Sequence, residues 1–148
     1  MNFERERWRE KIEASGFDPH EPTFFSCLGV SQYITRAAFE TTLRDTAGSV
    51  SAFRQVIVDF VVPELGLEPS DRQQIAVMRA RAESRGEPWV SYYEPAELHA
   101  ILEAAGFERV EHFSPEDAST RYFRGRADGL TLPGTYHLMK ALCHERST

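Results

Sequence analysis

A glycine-rich nucleotide loop is the first thing this sequence lacks. Its nine glycines are scattered at positions 16, 29, 48, 66, 86, 106, 125, 129 and 134. None forms a G-x-G or G-x-G-x-x-G behind an apolar run, so the chain does not carry the usual backbone cradle of a dinucleotide site. Cysteine is almost missing too. Cys27 and Cys143 are the only two, each inside an apolar run that reads as a strand. That excludes a disulfide framework and a CxxC metal or redox motif. The five histidines show no zinc spacing. Lysine is limited to Lys11 and Lys140, and the net charge is −6. With no basic stripe interleaved with aromatics, nucleic acid is not an expected partner. No apolar run approaches the roughly 20 residues of a membrane span. The opening MNFERERWRE has no apolar leader core. The expected location is therefore cytoplasmic, with no membrane association.

What is present reads as one globular domain. The chain has 148 residues, 41% hydrophobic and 27% charged, too apolar for a disordered chain. Helical spacing of Trp8 and Ile12 predicts a helix over about 4–15, stopped by Gly16. PTFFSCLGV predicts a strand over 23–30, and Thr35 the cap of a helix over 36–47. FRQVIVDFVVP, 53–63, is the strongest strand signal. Its near-continuous apolar run predicts burial on both faces, as in a central parallel strand. Helices are expected over 70–85 and from Glu94-Pro95 to Ala105, with Gly106 just beyond the second. Strands are expected over 107–114 and 136–143, separated by a polar stretch, and the tail 144–148 reads as loose. Helices alternating with strands predict an α/β sheet covered on both faces, closed by an antiparallel pair.

Five ordered segments carry a resemblance: GFDPHEPTFFSCLGVSQYIT, VIVDFVVP, RGEPW, YYEPAELHAILEAAGFERVE and RYFRGRADGL. Together, from about Phe3 to Ala141, they resemble the bacterial S-adenosylmethionine-dependent methyltransferases related to leucine carboxyl methyltransferase and to polyketide carboxyl O-methyltransferases. The resemblance implies the C-terminal half of a class I methyltransferase sheet. The four strands then stand as its fourth to seventh, the last antiparallel, and residues 1–148 form a single partial domain. The first three strands and the glycine-rich cofactor loop have no counterpart here.

The resemblance also implies site residues. Leu28, Gly29 and Val30 would lie against the methionine part of S-adenosylmethionine. Asn2 and Phe3 stand where the family has an Asp-Phe or Asp-Leu pair facing adenine, and Asn2 offers an oxygen acceptor without the charge. Tyr33, Arg121 and Tyr122 would meet the acceptor, a small-molecule carboxylate or hydroxyl. An arginine fork among Arg121, Arg124 and Arg126 would suit a carboxylate. Methyl transfer to a carboxylate needs no catalytic base, since the acceptor is already ionised at neutral pH; no catalytic side chain is therefore expected. Asp59, alone among apolar neighbours, must find a partner.

Two functional classes follow. One is an enzyme part that supplies the acceptor side and one wall of the cofactor site. The other is a non-catalytic half-domain acting as a binding or oligomerisation module. In both, the 23–30 strand is an apolar edge, which predicts homo-oligomerisation or a pairing chain.

Overall fold

The computed structural model describes residues 2–65, 67–130 and 132–144. Its sheet has four strands: β1 (Thr23–Cys27), β2 (Arg54–Val61), β3 (Arg109–Phe113) and β4 (Tyr136–Cys143). Their spatial order is β1-β2-β4-β3. β1 runs parallel to β2, while β4 is inserted antiparallel to both β2 and β3. The last strand in sequence thus lies inside the sheet. The carboxyl ends of β1, β2 and β3 share one rim with the amino end of β4.

Among the described residues five α-helices accompany the sheet: α1 (Trp8–Glu13), α2 (Arg36–Gly48), α3 (Pro69–Ser84), α4 (Pro95–Ala105) and the short α5 (Pro115–Ala118). Thr35 caps α2, its hydroxyl accepting the Ala38 N–H at 3.3 Å. Gly106 ends α4 with φ +106°, a left-handed cap that glycine adopts without strain. The main core lies on one sheet face. Val56, Val58 and Phe60 of β2 and Met139, Ala141 and Cys143 of β4 pack there on Phe39 and Leu43 of α2 and on Leu98 and Leu102 of α4. A smaller cluster on the other face joins Val61 to Ile75 and Ala82 of α3 and to Trp89.

Burial along β2 corrects the two-faced expectation. Val56, Val58 and Phe60 are fully buried, but Ile57 and Asp59 between them are only half-buried. The reason is cover. α2 and α4 close the first face along its length, whereas α3 closes the second only near the rim. The loose tail expected over 144–148 begins with His144, which bonds Glu108 through Nδ1 at 2.8 Å; the rest lies outside the described residues.

The polar stretch after β3 is not featureless. Ser114 Oγ accepts the Asp117 N–H at 3.1 Å, and Asp117 Oδ2 accepts the Ser114 N–H at 3.0 Å. This capping box starts α5 with Pro115 in its first turn, and a π-turn over Ser119–Phe123 continues it. Ser114→Ala is expected to cost about 1 kcal/mol. Urea unfolding checks this, since an unchanged midpoint would mean the box contributes nothing.

Candidate functional site

The rim after β1 is built by backbone. Leu28 is 53% exposed, an apolar side chain presented to solvent where the strand ends. Gly29 follows with φ +69°, and a Cβ built there meets nothing within 4 Å. The turn thus needs glycine for its conformation and leaves the space above it open. Gly29→Ala would gain no clash but force an alanine left-handed, at a cost of about 1–2 kcal/mol. The predicted loss is a lower thermal midpoint, and an unchanged one would mean the turn relaxes freely.

The next residues are braced from several sides. Ser31 Oγ donates to the Asp59 carbonyl at 2.8 Å. The Gln32 carbonyl accepts the Val90 N–H at 2.7 Å, and Ser91 Oγ donates to the Ile34 carbonyl at 2.7 Å. Tyr33 stands edge-on to Trp89 at 6.5 Å, and Trp89 in turn meets Tyr136 at 6.3 Å. The Trp89 Nε1 and the Thr135 hydroxyl are buried without a hydrogen-bond partner among the described residues.

The N-terminal residues reach the same part of the molecule. Glu4 accepts the Thr35 N–H at 2.6 Å and the Thr35 hydroxyl at 2.9 Å, tying Asn2 and Phe3 to the start of α2. Phe3 and Val30 are both half-buried against the main core. The Asn2 side-chain oxygen accepts the Glu4 N–H at 3.0 Å, so one of its two lone pairs is already used.

Among the described residues no contact brings Arg121 or Tyr122 to the Leu28–Val30 turn; Tyr122 packs on Phe113 at the end of β3. Arg121 and Tyr122 line a groove on the open sheet face with Ile57, Phe113, Leu138 and Lys140, with a volume of about 290 Å³. Arg121 stacks over the Tyr122 ring at 5.5 Å. Arg126 pairs with Asp128, and among the described residues no contact joins Arg124 or Arg126 to Arg121.

A histidine pair escaped the sequence reading. His112 Nε2 lies 2.8 Å from His137 Nδ1, with the rings stacked at 5.0 Å beside Phe60. His137 Nε2 lies 3.1 Å from the Gly134 carbonyl. A carbonyl only accepts, so His137 carries its proton on Nε2 and offers Nδ1 to the His112 Nε2–H. His112 Nδ1 is left with the lone pair. The spacing of 25 residues hid this; β3–β4 pairing brings the two rings together. Burial holds both imidazoles below the usual histidine pKa, opposed by Glu116 at both rings, by Asp117 at His112, and by Glu94 and the Gly134 hydrogen bond at His137. An unfolded chain then binds more protons than the folded one as pH falls through about 6.5. The pair's contribution to stability is complete above that pH and is lost through the lower folded pKa values. Urea unfolding at pH 7.5 and 5.5 should show a fall that shrinks in His112→Gln, while an equal fall in both would remove the pair as its source.

Among the described residues no group of three or more His, Cys, Asp or Glu is placed to hold a metal, and no helix is long and apolar enough to cross a membrane.

The order β1-β2-β4-β3, with the last strand inserted antiparallel between β2 and β3, is the arrangement expected of a class I methyltransferase sheet. A solved S-adenosylmethionine-dependent methyltransferase from Archaeoglobus fulgidus shares it with a TM-score of 0.56 and 8% identity, over 93% of this chain and 66% of that one. So does a Bordetella parapertussis protein described as a possible exported protein, with a TM-score of 0.58 and 15% identity, over 84% of this chain and 40% of that one. The leucine carboxyl methyltransferase family model matches residues 1–47. A Bacillus subtilis protein named "Putative S-adenosyl-L-methionine-dependent methyltransferase YktD" is 30% identical over 142 residues, covering 96% of this chain and 46% of its own length. The first 47 residues thus match the leucine carboxyl methyltransferase family, nearly the whole chain aligns with an S-adenosylmethionine-dependent methyltransferase, and it spans about half the length of that curated relative.

Proposed function

We propose that the chain serves S-adenosylmethionine-dependent O-methylation of a small-molecule carboxylate, furnishing one wall of the cofactor site and the acceptor side. The observation that carries this reading is the rim at Leu28–Val30. An exposed apolar residue, an open glycine turn and Phe3 beside the same core suit an apolar and backbone-lined wall for the cofactor. The cofactor, when bound, supplies a methyl group on a sulfonium. The chain's task is to hold the acceptor oxygen in line with it, which is orientation rather than covalent chemistry. Arg121 forms no ion pair among the described residues, and Glu111, which lines the same groove, is held by Arg109 and Lys140, so Arg121 is the group suited to an acceptor carboxylate.

A wall is half a site. Among the described residues β1 has a partner on one side only, and Phe24 on it is 58% exposed. An unpaired apolar edge favours a second chain, so the site is completed on pairing, with a second copy or with another polypeptide. A half-domain that pairs without catalysing is the second reading, favoured by the exposed apolar Phe24 on β1.

Calorimetric titration with S-adenosylhomocysteine, at chain concentrations above and below self-association, separates the two. Saturable binding that follows the paired species is the expected result. A folded, paired chain that takes up no ligand would leave only the binding-module reading.

A further inference from the structure

Asp59 is the one acidic residue in β2, set between Val58 and Phe60, both fully buried. A carboxylate withdrawn from water is costly unless hydrogen bonds replace its hydration. Burial raises its pKa, and the hydrogen bond from Gly29 opposes the rise. Both carboxylate oxygens lie on the Gly29 N–H, at 2.8 and 2.9 Å. The charge of this carboxylate is felt by the Cys27 thiol on β1, pushed up to about 11 by burial and by Asp59, and by the Tyr136 hydroxyl on β4, which burial, Tyr33 and Asp59 all push up. None is a cation, and Asp59 forms no ion pair among the described residues. Its structural work is therefore done on backbone. Through the Ser31 hydroxyl on its carbonyl, the same residue also holds the far side of the turn.

We infer that Asp59 is a positioning residue, whose carboxylate grips the Gly29 amide and fixes the Leu28–Val30 turn in the shape that meets the cofactor. Nothing in the spacing of 30 residues announces the contact; parallel pairing of β1 with β2 creates it. The grip itself is a property of the free chain. Its use in cofactor binding rests on the function proposed above.

The test reads the Gly29 amide by proton–nitrogen NMR on the free chain, and then the affinity for S-adenosylhomocysteine. At pH 7 the Gly29 resonance is expected to move in Asp59→Asn, while amides of β3 stay in place. In the wild type it is expected to titrate with a midpoint above the ordinary aspartate value of about 3.9. Asp59→Ala should weaken S-adenosylhomocysteine binding about tenfold, and Asp59→Asn, which keeps one acceptor oxygen, about threefold or less. A Gly29 amide that ignores both pH and Asp59→Asn overturns the grip. A titrating Gly29 amide with full affinity in folded Asp59→Ala overturns the positioning role. Failure of the wild type to bind contradicts the cofactor reading instead, and the amide result then decides the grip alone.

Discussion

Phe60→Ala should remove about 3–5 kcal/mol of stability, the cost of truncating a buried phenylalanine. Phe60 has no exposed surface and stands at the centre of the main core, with the His112 and His137 rings against it at 6.0 and 5.4 Å. Close packing leaves nothing able to fill the space, so the lost burial and the cavity add together. Total stability for a domain of this size is about 5–15 kcal/mol, which makes the substitution severe. A thermal scan is expected to fall by roughly 10 °C or more. The control is Phe24→Ala on β1, where the ring is already 58% exposed, with an expected change within about 0.5 kcal/mol. Equal losses at the two positions would contradict the assignment of one sheet face to the core and of β1 to an edge.

Phe24→Lys should weaken self-association at least tenfold and lose S-adenosylhomocysteine binding with it. Lysine on an edge strand is a common device against edge pairing, because a second strand would have to desolvate it. Phe24 and Ser26 face away from the main core, while Phe25 and Cys27 pack onto it, so the substitution leaves the core intact. Sedimentation equilibrium measures the pairing directly. A wild type that stays monomeric at high concentration would remove the self-pairing form of the proposal and leave another polypeptide as the partner. A Phe24→Lys chain that still pairs would move the contact elsewhere.

Much of the fold was legible because its signals are local. Thr35 before RAAFETTL, Glu94-Pro95 before AELHAIL and Gly106 after AA fixed helix ends to within a residue or two. YHLMKALC gave β4 over the observed span. The short α5 was missed although Ser114-Pro115-Glu116-Asp117 is a capping box followed by a turn; its four helical residues are too few for periodicity to register. The continuous apolar run of β2 misleads for a different reason. A continuous apolar run says that both faces are apolar, not that both are covered, and cover depends on where α3 packs.

The candidate site was legible in parts. β1 ends at Cys27, short of the strand expected over 23–30, so Leu28–Val30 form the turn beyond it, and Asp59 finds its partner there. Arg121 and Tyr122 were grouped with Tyr33 by resemblance, yet they lie in the groove on the open sheet face. The β3–β4 connection carries them there, and no local pattern encodes its path. Long-range pairs such as His112 with His137, or Asp59 with Gly29, exist only once strand order and register are set.

The central claim is that the Leu28–Val30 turn is a cofactor wall. Chemical-shift mapping of S-adenosylhomocysteine on the isotope-labelled chain tests it most directly. Perturbations are expected to cluster at Asn2, Phe3, Leu28, Gly29 and Val30. Shifts confined to other parts of the molecule, or none at saturating ligand in a folded and paired chain, would contradict it.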